Sequence, residues 1–237
     1  MTPAGQMLGL DGITSGYGEA IVVRGVTLDV APGEIVTLLG KNGMGKSTLL
    51  KTIMGFLPAR NGRVSLAGDD VTGVSPHRLA RRSIAYTPQE QAIFQDLTVR
   101  ENLVLGLPDK SWFDDEFARV CEVFPVLGER QRQRAGTLSG GEQKMLLVAR
   151  ALMARPRLML VDEITEGLQP SVIHRLAGAL ADERDRTGVA MLLVEQNIQF
   201  ALEVSDRWAV LKLGEINETG ASDEPDAAAR IADQLAV

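Results

Sequence analysis

EIVTLLGKNGMGKSTLLKTIMGFL, residues 34–57, changes texture twice. Its first part, EIVTLLG (34–40), follows a PGE turn and is almost unbrokenly apolar, as in a short strand buried in a parallel sheet. Its last part, STLLKTIMGFL, has the composition of a helix. Between them, GKNGMGKST (40–48) fits the pattern G-x-x-x-x-G-K-[ST], with the required strand before it and helix after it. Glycines let successive backbone N–H groups curl around phosphate oxygens, and a helix start adds partial positive charge. Gly40, Asn42, Gly43, Gly45, Lys46, Ser47 and Thr48 are therefore the candidate nucleotide-binding residues. Lys46 is placed to reach β- and γ-phosphates, and the Ser47 hydroxyl to hold Mg²⁺.

Two further stretches belong with this loop. RLMLVDE (157–163) is an apolar strand ending in two carboxylates. In an open α/β sheet that is the edge where ligands bind. Asp162 suits a Mg²⁺ shell, and Glu163 is placed to polarise a water for attack on a γ-phosphate. TLSGGEQKMLLVAR (137–150) puts Ser139, Gly140 and Gly141 where a helix begins, which makes a second anion-binding helix start far from the first.

Around these motifs the texture divides the chain. LDGITSGYG and AIVVRGVTLDV alternate like antiparallel strands, RVSLAG (63–68) and SIAYTPQ read as strands, and PHRLARR as a short helix. From Gln89 to Ala135 strand signals vanish and helical patterns with charged faces take over. A glycine-led helix (140–154), a long amphipathic helix (170–186), a buried strand VAMLLVE (189–195), a helix, a closing hairpin and a last helix follow. The expected fold is α/β: a P-loop NTPase core with a mixed sheet, an antiparallel β subdomain and an inserted helical subdomain. It is expected to form one domain, 1–237, with residues 1–88 and 136–237 as the core and 89–135 as the insertion.

Composition narrows the function. A net charge of −6 argues against a duplex nucleic-acid binder, and the local basic runs RLARRS (78–83) and RQRQR (130–134) read as solvated surface. A single cysteine, Cys121, allows no intrachain disulfide and sits in an apolar pattern as core rather than nucleophile. Two histidines, His77 and His174, cannot build a multi-histidine metal site and read as surface residues. The N-terminus lacks a signal-peptide pattern, and no apolar run is long enough to span a bilayer.

The order of motifs resembles the ATP-binding subunits of ABC transporters: phosphate loop, glutamine after a strand (Gln89), LSGGEQ, then an apolar strand ending in DE. The resemblance implies an ATPase that works with ATP and Mg²⁺. It implies that Ser139, Gly140, Gly141 and Glu142 serve ATP held by a second ABC ATPase subunit, in a homo- or heterodimer. It assigns Tyr17 to stacking on adenine, Gln89 to Mg²⁺ and the attacking water, and ITEGLQP (164–170) to the face toward the other subunit. Further implied partners are an integral-membrane permease and, indirectly, a solute-binding protein. The implied location is cytoplasmic, peripheral on the inner face of the plasma membrane.

Two positions depart from the family pattern. Ile164 replaces the usual proline after DE, and Gln196 stands where a switch histidine is usual. Glutamine can hydrogen-bond a γ-phosphate but carries no positive charge and shuttles no proton. VEQN, the YG near the N-terminus and TEGLQPS look like one ATPase subunit of the branched-chain amino-acid, amide and urea importers, TEGLQPS most like the urea type. The alternatives are an ABC ATPase of lipid or lipopolysaccharide export, against which Gln196 counts, and a non-transport ABC ATPase of the iron–sulfur assembly type.

Overall fold

A computed structural model describes residues 5–89 and 93–236. The first strands, β1 (Leu8–Tyr17) and β2 (Ala20–Val30), form a hairpin. With β4 (Asn61–Leu66) and the two-residue β5 (Asp69–Asp70) they make an antiparallel sheet in the order β2-β1-β4-β5. The sequence gives no sign of β5, because paired aspartates have low strand propensity.

The second sheet is mixed. Its strands β3 (Ile35–Leu39), β6 (Ile84–Thr87), β7 (Leu158–Asp162), β8 (Ala190–Glu195) and β9 (Arg207–Lys212) run parallel. The final strand, β10 (Glu215–Ala221), pairs antiparallel with β9 and completes the order β10-β9-β3-β8-β7-β6. Every residue of β3, β7 and β8 is buried. Alternate residues feed different cores: Leu158 and Leu160 join the cluster shared with the antiparallel sheet, whereas Met159 and Val161 join the opposite one. Burial on both faces explains why these strands read as continuous apolar runs.

Helix α1 (Lys46–Ile53) follows β3 directly, and α2 (Pro76–Ala80) precedes β6. Between β6 and the glycine-led helix lie α3 (Val99–Val104), α4 (Phe113–Val123) and α5 (Pro125–Glu129), with an isolated antiparallel bridge between Thr98 and Arg134. The glycine-led helix is α6 (Gly140–Leu152), and α7 (Pro170–Thr187), α8 (Ile198–Val204) and α9 (Ala227–Ala236) complete the chain. The expected α/β architecture with a mixed sheet and an antiparallel sheet is what the structure shows. The decisive consequence is positional. Gly40, Gln89, Asp162–Glu163 and Glu195–Gln196 all lie at or just beyond the C-terminal ends of parallel strands, so they meet at one edge.

Candidate functional site

The phosphate loop is shaped by what surrounds it. Gly45, the N-cap of α1, has φ +102°, and a Cβ there would lie 3.2 Å from both the Val22 carbonyl oxygen and its Cγ1. Only glycine tolerates both the left-handed backbone and this close approach. The same approach brings β2 onto the loop and sets the β1–β2 hairpin tip beside it. Tyr17, at that tip, is 48% exposed. Arg60 fixes the turn by donating to the carbonyls of Gly18, Glu19 and Ala20.

Lys46 is 4% exposed and has three acceptors for its three protons: the carbonyls of Gly40 (2.7 Å) and Lys41 (3.0 Å), and Glu163 Oε1 at 2.8 Å. Glu163 in turn is gathered from three directions. Its Oε2 accepts from Gln89 Nε2 at 3.0 Å and from Gln196 Nε2 at 3.1 Å, opposite the Lys46 contact on Oε1. Gln196 Nε2 also donates to Asn42 Oδ1 at 2.9 Å, and Gln89 Nε2 to Glu166 Oε2 at 2.7 Å. Glu163 holds a left-handed backbone, φ +44°, with its N–H on the Val194 carbonyl at 2.9 Å. Such strain in a residue with a side chain costs about 1–2 kcal/mol and concentrates at functional sites. A proline at 164 would press the preceding residue toward extended backbone. Ile164 removes that restriction, and its side chain is fully buried in the core.

Ser47 Oγ donates to Asp162 Oδ1 at 3.1 Å. Burial, then the neighbouring Glu163, pushes the Asp162 carboxyl above its usual range against the opposing pull of Ser47, Lys46 and Lys51. Burial, followed by the nearby Asp162 charge, raises the Tyr86 phenol far above its ordinary value. Beyond Glu163 a cleft of about 410 Å³ opens, lined by Asn42, Glu163, Thr165, Glu166, Glu195, Gln196 and Asn197.

The second glycine motif opens α6. Ser139 caps α6: its hydroxyl accepts from the Glu142 N–H at 3.4 Å and meets Glu142 Oε2 at 2.8 Å, while the Ser139 N–H donates to that same oxygen at 2.8 Å. Burial opposes ionisation of Glu142, but these Ser139 donors and Arg130 hold its carboxyl below the usual range. Ser139 and Gly140 are exposed, and a Cβ added to Gly140 would meet nothing within 4 Å. At Gly141 it would lie 3.1 Å from Val172 Cγ1.

Thus the structure brings together Gly40, Asn42, Lys46, Ser47, Gln89, Asp162, Glu163 and Gln196; Ser139 and Gly140 stand exposed at the start of α6, where Gly140 lines a cleft of about 220 Å³ with Gln89 and Glu166. Sequence reasoning missed Lys144, whose Nζ donates to the carbonyls of Gln89 (3.1 Å) and Glu163 (3.3 Å). It also missed Thr165 and Glu195, which bond each other. The signal for Lys144 was its place in LSGGEQK; Thr165 and Glu195 gave none, since their pairing needs the fold. His77 and His174 are exposed, and Cys121 is half-buried with its thiol raised by burial.

A strand, glycine loop and helix on a parallel sheet, with an acidic strand end beside the lysine, define a P-loop nucleotide hydrolase. Residues 23–166 match the ABC transporter family, and the chain belongs to that family. It is the ATP-hydrolysing subunit of a transporter. It is 43% identical over 220 residues to the high-affinity branched-chain amino acid transport ATP-binding protein BraG of Pseudomonas aeruginosa, covering 91% of this chain and 94% of that one. It is 37% identical over 214 residues to a probable branched-chain amino acid transport ATP-binding protein, LivF, of Archaeoglobus fulgidus, covering 90% and 91%. Among solved structures, an ATP-binding cassette of an ABC transporter in its ADP conformation superposes with TM-score 0.86 at 28% identity, over 96% of this chain and 95% of that chain. Among the described residues no helix is long and apolar enough to cross a membrane.

Proposed function

We propose that this chain is the ATPase of an importer for branched-chain or other hydrophobic amino acids, or for small amides such as urea. In this reading it works on the cytoplasmic face of the plasma membrane beneath a separate permease, to which a solute-binding protein delivers the solute. The observation that carries the mechanism is the gathering of Glu163 by Lys46, Gln89 and Gln196 at one strand edge. Similarity to BraG and LivF, and the VEQN and TEGLQPS stretches, support the solute class.

Tyr17 stacks on adenine, and backbone N–H groups of residues 40–48 receive the phosphates. The phosphate oxygens replace Glu163 and the loop carbonyls as acceptors for Lys46. Glu163, freed from the lysine, accepts a proton from the attacking water, while the Gln89 and Gln196 amides orient that water and the γ-phosphate. The donor set suits Mg²⁺: Ser47 Oγ and Asp162 Oδ1 are 3.1 Å apart. A hydroxyl and a carboxylate are the hard oxygen donors that this cation takes. Bound there, the ion would neutralise phosphate charge, with Ser47, Asp162 and Gln89 as the chain's contribution. Ser139, Gly140, Gly141 and Glu142 present their helix start to ATP held by a second ATPase subunit, and the 89–135 segment passes the resulting motion to the permease.

The test is capture of the tagged chain from native membranes with identification of its partners by mass spectrometry. The proposal expects a polytopic permease and an ATPase subunit. Recovery of soluble assembly factors alone would leave the ATPase intact and overturn the importer.

A further inference from the structure

Glu195 closes β8, a strand whose other residues are all apolar. It is 2% exposed, and its carboxylate is fully engaged. Oε1 accepts from the Thr165 N–H at 3.1 Å. Oε2 accepts from Thr165 Oγ1 at 2.7 Å and from the Gln196 N–H at 3.3 Å. Its backbone carbonyl accepts from the Gly40 N–H, the first of the phosphate loop, at 3.3 Å. One residue thus joins three segments: the loop that follows Glu163, the turn that carries Gln196, and the start of the phosphate loop. An apolar side chain would fill the end of a buried strand without the desolvation that a carboxylate suffers there. What the carboxylate adds is the fixed spacing of those three segments.

We infer that Glu195 is a positioning residue for ATP hydrolysis, holding the Thr165 loop and Gln196 in register with Glu163. This rests on the reading of Glu163 as the base. Thr165 lies two residues beyond Glu163, at the start of the loop assigned to the other subunit, and Gln196 bonds both Glu163 and Asn42. A shift of either segment therefore moves groups that touch the base.

The geometry names a sensitive substitution. Glu195→Gln keeps size and packing, yet a carboxamide has one acceptor oxygen and one NH₂ group. In one orientation the NH₂ faces the Thr165 N–H, and in the other it faces the Gln196 N–H. Either way a buried donor opposes a donor.

The experiment compares purified full-length wild type with Glu195→Gln, Thr165→Val, Thr165→Ser, the Glu195→Gln/Thr165→Val double variant and Glu163→Gln. Steady-state ATPase kinetics, thermal midpoint and amide hydrogen exchange are measured. Glu195→Gln is expected to lower kcat by about tenfold, the weight of one hydrogen bond to a charged group, with KM for ATP changed less than about twofold. Exchange at the Thr165 and Gln196 amides should speed up. Thr165→Ser, which keeps the hydroxyl, should behave as wild type, and the double variant should lose little more than either single one. A merely structural role would lower the thermal midpoint while leaving kcat of the folded protein and the Ser/Val contrast unmoved, and would overturn the inference. So would a Glu195→Gln kcat within twofold of wild type while Glu163→Gln is inactive; the base assignment would then stand. Turnover by Glu163→Gln at the wild-type rate would overturn both.

Discussion

Lys46 and Glu163 are each almost fully buried, and each is the other's counter-charge at 2.8 Å. A buried pair is costly to break from one side, because the remaining charge is stranded. In the proposed mechanism, nucleotide phosphates supply Lys46 with a new counter-charge, so that binding ATP releases the base. Lys46→Ala is therefore expected to weaken ATP binding and to slow hydrolysis by on the order of 100-fold or more. Isothermal titration and turnover near wild-type values would remove Lys46 from the site. Gln196 gives a second prediction at this scale. Having no titrating proton, it should leave no step of its own in the pH–rate profile. Gln196→His should introduce one with a midpoint near about 6.5. Superimposable profiles for the two proteins would mean that position 196 does not reach the reacting groups. Lys46, Ser47, Asp162 and Glu163 were legible because their motifs are local. Thr165 and Glu195 were not, because their contact spans thirty positions of chain.

At the level of elements, helix α6 serves two ends with one terminus. The Ser139–Glu142 capping box satisfies its first turn from within the chain, so the helix start is stable by itself. Gly140, by contrast, has open space where its side chain would be. Glycine in a helix is less favourable than alanine by about 1 kcal/mol, so the fold alone gives no reason for it here. Gly140→Ala is expected to raise or preserve stability in urea unfolding while lowering ATP turnover, because in the proposed dimer the added methyl meets the partner-held phosphate. Full turnover in that variant would remove Gly140 from the composite site. The helix and its glycine start were readable from LSGGEQ. The division of labour between Ser139 and Gly140 was not, since it depends on which side faces solvent.

For the whole molecule, the question is how the helical segment is fixed to the sheet. Arg119 of α4 pairs with Glu116 at 2.7 Å and with Glu183 of α7, and donates to the Leu152 carbonyl at the end of α6 at 2.6 Å. Both glutamates are buried, and Arg155 and Arg186 complete the network. This polar knot lies beneath the sheet edge opposite the phosphate loop, beside Pro32 and Val189. Arg119→Met should leave Glu116 to Arg155 and Glu183 to Arg186, remove the donor to the Leu152 carbonyl, and destabilise the chain by about 2 kcal/mol, read as a lower urea midpoint. A midpoint equal to wild type would mean that the knot carries no net stability. The mixed and antiparallel sheets and the helical insertion were foreshadowed by texture, but strand order was not, and this knot joins residues 64 positions apart with no local pattern to announce it. The central claim remains that ATP is bound by Lys46 and hydrolysed through Glu163. The most direct measurement is the nucleotide retained by Glu163→Gln after incubation with Mg²⁺ and ATP and gel filtration. Intact ATP bound to the protein is the expected result. ADP, formed at the wild-type rate, would contradict the account.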